Sequence, residues 1–258
     1  MAIHSTAIID PKTEIAGDAE IGPYCVIGAG VSIGERTRLM SHVVLEGKLT
    51  IGRDNIFYPF CSCGVAPQDK KYRGEASETI IGNGNSIREF VTIHRGTEGG
   101  GMRTVIGDGN LLMAYVHVAH DVIIHNHTIL ANGVTFAGHV IVEDYANIGG
   151  LSAIHQFCRI GKHAIIGSRS VIKQNVLPFS QTASDHESKV YGANRVGLQR
   201  SGFAVEAIEP LQNAFRLLSN AGLNTSQAVA RIEEEIPQTP EVKELLEFIR
   251  SSERGFVK

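Results

Sequence analysis

From Ile3 onward an aliphatic or similarly bulky residue returns at every sixth position: Ile3, Ile9, Ile15, Ile21, Ile27, Ile33, Leu39, Leu45, Ile51 and Phe57. The beat resumes at Ile81, Ile87 and Ile93. It then runs unbroken through Ile106, Leu112, Val118, Ile124, Leu130, Phe136, Val142, Ile148, Ile154, Ile160 and Ile166 to Ile172. This period fits neither the turn of an α-helix nor the alternation of a simple strand. A fixed hexapeptide repeat reads as a parallel β-helix, each repeat burying its inward residue only by stacking on the next. Three hexads make one triangular coil, so residues eighteen apart share a face in adjacent coils. Glycine often follows the inward residue, as in the Ile-Gly pairs at 21, 27, 33, 51, 81, 106, 148, 160 and 166, and is expected to serve the corner geometry.

Two insertions interrupt the beat. Residues 63–80 carry Pro, Gly and many charges and return in phase, whereas residues 97–105 carry three consecutive glycines and slip the phase by one. Loops leaving a rigid scaffold are favoured places for binding groups. The beat stops at Pro178 and helical spacing takes over. Helices are expected at 204–219, kinked or restarted at Pro210 and ended near Gly222; at 226–236 with Thr225 as N-cap; and at 240–252 with Pro240 in the first position. The chain therefore divides into a β-helix over 1–190 and a helical domain over 191–258, the latter expected to pack on the solenoid and cover its open strand edge.

Composition narrows the class. The 258 residues carry a formal net charge of −3, with 43% hydrophobic and 20% charged residues, which argues against a nucleic-acid binder with a broad basic face. No apolar run has the length of a membrane span, and the start Met-Ala-Ile-His-Ser lacks a basic region followed by an apolar one, so the expected location is the cytoplasm. Cys25, Cys61 and Cys158 occupy the fifth place of their hexads, where a small residue packs inside a coil. Cys61 and Cys63 stand two apart with no second pair to complete a zinc site.

Histidines concentrate in one stretch: His117, His120, His125, His127, His139, His155 and His163. His120 is third in the hexad starting at 118, His139 fourth in that starting at 136, and His155 second in that starting at 154. These three are expected on one face in consecutive coils, about 5 Å apart per step, with His117 at the adjoining corner. Such a cluster could act as a general base, bind a metal, or hydrogen-bond a ligand. Asp121 could orient His120, and Gly138 offers a backbone N–H to a developing oxyanion.

The segments His117-Val-Ala-His120-Asp121, Ala137-Gly138-His139-Val, Ala153-Ile-His155-Gln156-Phe157-Cys158 and Pro67-Gln68-Asp69-Lys-Lys71-Tyr closely resemble the UDP-N-acetylglucosamine O-acyltransferases of lipid A biosynthesis. Asn194 through Arg200-Ser-Gly-Phe203 resembles that family's join between coil and helices, and the likeness covers essentially the whole chain. The resemblance implies a left-handed β-helix, a homotrimer, and transfer of an (R)-3-hydroxyacyl group from acyl carrier protein to the 3-hydroxyl of the UDP-sugar, directly and with no metal or other cofactor. His120 matches the general base and the Gly138 N–H the oxyanion donor. Gln68, Asp69 and Lys71 match an arm reaching over from a neighbouring subunit. His139 matches a contact to the glucosamine end, and His117, His155, Gln156, Asn194 and Arg200 match nucleotide-side contacts. Ser168 matches the position that limits acyl chain length. Val196, Ser201 and the stretch Ala183-Ser-Asp-His186 depart from the family pattern. Relatives that take a 3-amino sugar make an amide, so the N-acylation product is the alternative. A remoter rival is a γ-carbonic-anhydrase-like zinc enzyme, for which His120 and His125 have the spacing and His94 would be a third ligand.

Overall fold

In a computed structural model, which describes residues 2–184, 188–219 and 222–258 (Asp185 and His186 of the departing stretch lie outside it), the chain winds into a left-handed parallel β-helix capped by helices. Among the described residues three sheets form the walls, parallel throughout except for the antiparallel pair Ser180–Ser184 and Ser188–Ala193 that ends the first. The first carries strands such as Glu20–Ile21, the second Val26–Ile27 and the third Val31–Ile33. The inward residues stack on themselves coil after coil: Ile21 on Leu39 on the first face, Val118 on Phe136 on Ile154 on the second, Ile81 on Ile106 on Ile124 on the third. Each such side chain is almost fully buried, stabilising the coil by roughly 1.5–3 kcal/mol. None can do so without the coil above and below.

The corner chemistry differs from expectation. Glycines after the inward residue do not take the left-handed conformation there; they permit close stacking, since a Cβ on Gly22 would lie 2.3 Å from the carbonyl oxygen of Met40 in the next coil. The left-handed turn falls instead on the fourth residue of the hexad, filled by Tyr24 (φ 60°), His42 (59°), Phe60 (67°), Asp121 (60°), His139 (62°) and His163 (54°) among others. Rings at successive corners stack: Tyr24, His42, Phe60, Phe90 and Tyr115 follow one another at centroid spacings of 4.9–5.0 Å along the first corner. Stacking recovers in packing what the left-handed backbone costs.

The first insertion is narrower than the spacing suggested. The strand Ser62–Val65 continues the second face with Cys63 as its inward residue beside Leu45, and Glu78–Ile81 resumes the third. All four cysteines are free and buried, and burial pushes the Cys61 thiol up to about 12 and the Cys158 thiol up to about 11. Those thiols are core filler, with no trace of ligand character.

Among the described residues four α-helices close the chain: α1 (Arg195–Arg200), α2 (Val205–Leu218), α3 (Thr225–Glu235) and α4 (Pro240–Arg250). Short α1 escapes sequence patterning. Helix α2 runs continuously through Pro210 and ends at Leu218 with Ser219 as its cap, short of Gly222. The N-cap of α3 is Asn224, not Thr225, because its side chain accepts the Gln227 N–H while Gln227 returns a bond to the Asn224 amide. The helices share a core with Leu177 and Phe179 at the end of the solenoid. The C-terminal residues finish the cap: the Val257 N–H donates to the Asn175 carbonyl, and Val257 packs into the solenoid core. Among the described residues no helix is long and apolar enough to cross a membrane.

Candidate active site

The second corner, where the second face turns toward the third, interrupts its ring stack with a carboxylate. There the left-handed residue of the hexad Val118–Ile123 is Asp121, and beside it at third place stands His120. One coil on, the third and fourth places are Gly138 and His139; the next coil gives Gln156 and Phe157. Phe157 stacks on His139 with centroids 4.4 Å apart, and the His139 ring meets that of His120 edge-on at 5.1 Å.

His120 Nδ1 lies 2.8 Å from Asp121 Oδ2. A carboxylate accepts, so the proton belongs on Nδ1 and the lone pair on Nε2. The Asp121 carboxylate is inaccessible to solvent, and the second insertion supplies its remaining partners. The Thr97 N–H donates to Oδ1 at 2.9 Å, the Thr97 hydroxyl to Oδ2 at 2.6 Å, and the Asp121 N–H to the Thr104 hydroxyl at 2.8 Å. Gly100 allows this contact, because a Cβ there would sit 1.9 Å from the Asp121 Cγ. Gly138 makes room in the same way for the imidazole: a Cβ would lie 2.5 Å from Cε1 and 2.8 Å from Nε2 of His120. Among the described residues no protein acceptor takes the Gly138 N–H.

A cleft of about 600 Å³ opens on this corner and along the second face, lined by His94, His117, His120, Gly138, His155 and Gln156, with Gln68 from the first insertion. His117 lies on the flat strand His117–Val118, not at the corner, and its Nδ1 is 2.7 Å from the Thr92 hydroxyl. Burial holds His117 below the ordinary imidazole range. It does the same to His139, where the nearby Asp121 pushes back. His94, packed edge-on against His117 at 4.9 Å, is held at about 4 by burial and then by its histidine neighbours. His94, His117 and His139 are thus neutral imidazoles near neutral pH.

Asp69 and Lys71 act electrostatically on His139 of the same chain, and Gln68 lines the same chain's cleft. The arm thus lies near the coil that carries His139. The excursion leaves the coil directly below the cleft and has the length to fold back. Asn194 and Arg200 stay apart from the cleft. The Asn194 side chain caps α1, accepting the Gly197 N–H and donating to the His163 carbonyl, and Arg200 is exposed in the last turn. Ser168 is exposed at the first corner, on the opposite edge of the second face. His125 is separated from His120 by the second corner and lies outside the cleft, so the zinc spacing does not converge. The donors that do gather, from His120, Asp121 and His139, lie within 4.8 Å of one another, but both Asp121 oxygens already accept hydrogen bonds. Sequence reasoning missed Thr97 and Thr104 as members of the site, and considered His94 only as a zinc ligand. Only the glycine run of the second insertion hinted at a close approach.

Among known proteins, the model described as "Udp N-acetylglucosamine O-acyltransferase; Domain 2" matches residues 175–257, and "Bacterial transferase hexapeptide (six repeats)" matches residues 2–34 and 103–138. An acyl-[acyl-carrier-protein]–UDP-N-acetylglucosamine O-acyltransferase of Thermodesulfovibrio yellowstonii is 51% identical over 256 residues, 99% of each chain. LpxA from Acinetobacter baumannii superposes with a TM-score of 0.96 at 44% identity, covering 100% of both chains. The Arabidopsis UDP-N-acetylglucosamine acyltransferase does so at 0.85 and 32%, covering 99% of this chain and 100% of its own. Solenoid, insertions and helical cap all take part in these matches, and the chain belongs to the UDP-N-acetylglucosamine O-acyltransferase family.

Proposed function

We propose that this protein transfers an (R)-3-hydroxyacyl group from acyl carrier protein to the 3-hydroxyl of UDP-N-acetylglucosamine, the opening step of lipid A biosynthesis. The observation that carries the reading is the buried Asp121 carboxylate holding the His120 imidazole against Gly138, whose N–H has no protein acceptor among the described residues. His120 Nε2 takes the sugar hydroxyl proton as that oxygen attacks the thioester carbonyl. Negative charge develops on the former carbonyl oxygen, where the Gly138 N–H meets it. Collapse of the tetrahedral species breaks the carbon–sulfur bond, and the carrier thiolate recovers the proton from the imidazolium. Atoms balance with no covalent enzyme intermediate and no metal or other cofactor.

Around this centre, Gln68, Asp69, Lys71 and His139 hold the glucosamine end, while His117, His155 and Gln156 line the way to the nucleotide. Arg200 supplies paired donors to the diphosphate. Because it stands away from its own chain's cleft, it serves that of a neighbour in a homotrimer, with the capping Asn194 positioning the segment that carries it. Ser168, at the far edge of the second face, leaves room for the acyl tail. Residues 1–190 carry the chemistry and 191–258 the cap, in a cytoplasmic enzyme.

The test is turnover of hydroxyacyl carrier protein with UDP-N-acetylglucosamine and with its 3-amino analogue, taking acetyl-CoA as control. Ester formation from the carrier thioester is expected. Turnover with acetyl-CoA alone contradicts the reading, and preference for the amine would change the product to an amide.

A further inference from the structure

The second insertion does more than interrupt the coil. Thr97 stands at the N-cap of a short 3-10 turn, Glu98–Gly100, yet its side chain makes no capping bond. Its carbonyl anchors that turn, accepting the Gly100 and Met102 N–H groups, while its own N–H and hydroxyl both point back to Asp121. The residue is 6% exposed, and the carboxylate it holds is fully enclosed. The same turn reaches the first insertion, since the Glu98 N–H donates to Glu75 Oε1.

We infer that Thr97 is a positioning residue for the acyl transfer, its hydroxyl fixing the orientation and charge of the Asp121 carboxylate and through it the base His120. The inference rests on the reading of His120 as general base. Asp121 Oδ2 accepts from two donors at once, the Thr97 hydroxyl and the His120 Nδ1–H. A donor on Oδ2 draws charge from the oxygen that stabilises the imidazolium, and with the bond to Oδ1 it sets the carboxylate plane. The charged and titratable groups facing His120 are Asp121, His139 and His94, with Asp69 and Lys71 acting on His139 behind it. Replacing Thr97 by Val removes one donor and leaves all of these in place.

The experiment is kcat, KM and the pH profile of Thr97→Val and Thr97→Ser beside His120→Ala. For Thr97→Val, kcat is expected to fall roughly tenfold, the size of one charge-assisted hydrogen bond, with both KM values within about twofold. The acidic limb of the profile should move to higher pH, because an Asp121 that keeps more of its charge favours protonated His120. Thr97→Ser should restore both kcat and limb. Wild-type kcat and limb in Thr97→Val, a fall in kcat with an unmoved limb, or an equal loss in Thr97→Ser would each overturn the inference. An active His120→Ala would instead remove the base reading itself, whatever Thr97 does.

Discussion

His139 and His163 hold the same rank in their hexads and the same left-handed backbone, with φ of 62° and 54°. Their surroundings separate them. His163 lies in a ring stack at the third corner, 4.7 Å from Tyr145 and edge-on to Phe203 at 5.0 Å, where the helical cap docks. Burial, then the nearby Lys162, holds it at about 4 against the pull of Asp144, and the imidazole serves as a neutral spacer. His139 shares its stack with only one aromatic ring and otherwise meets His120, Asp121 and the electrostatic reach of Asp69 and Lys71. Repeat rank therefore dictates backbone shape, whereas the insertions dictate chemistry. The candidate site is the corner on which both insertions bear, the second through Thr97 and the first through Gln68, Asp69 and Lys71.

The largest effect should come from removing the reacting base at the second corner. His120→Ala should lose roughly 10²–10⁴-fold in turnover while keeping the wild-type unfolding temperature; steady-state rates beside thermal melts check both. A near-normal rate would erase the contrast between the corners. Next comes Gly138→Ala, whose methyl would strike the His120 ring. Displacing that ring by even an ångström should cost about 10²-fold in kcat, read in the same assay. The smallest effect concerns the spacer. Between its unfolded value near 6.5 and about 4, His163 takes a proton only when the chain unfolds. Stability should therefore decline as pH falls through that window. His163→Phe preserves the stack and should flatten the decline by roughly 1–3 kcal/mol without changing turnover at neutral pH; denaturant melts across pH measure it. An unchanged slope would mean that the third corner does not exclude the proton.

The coils were legible because the inward place of each hexad tolerates only a bulky apolar side chain, and Ile21, Val118 or Ile160 cannot be read otherwise. Counting residues put His120, His139 and His155 on one face with His117 at the corner; His120 and His139 do meet ring to ring, while His155 and His117 line the cleft with His120. What stayed hidden depended on contacts across the sequence. Thr97 and Thr104 meet Asp121 through a glycine-permitted approach that no periodicity encodes. Left-handed corners filled by Tyr, Phe and His contradict local propensity and are sustained by ring stacking together with a backbone hydrogen bond to the preceding coil, as from the His139 N–H to the His120 carbonyl. The path that brings Gln68 to the cleft is one that composition cannot specify, and α1 is too short to show a helical pattern.

The central claim is that the sugar reacts at the second corner, between His120 and Gly138. A crystal structure of the protein with UDP-N-acetylglucosamine tests it most directly. The account predicts the 3-hydroxyl oxygen within hydrogen-bond reach of His120 Nε2, about 2.6–3.2 Å, with the diphosphate near Arg200 of a neighbouring chain. A sugar seated instead on the aromatic stack of the first corner, with His120 Nε2 facing only solvent, would contradict it.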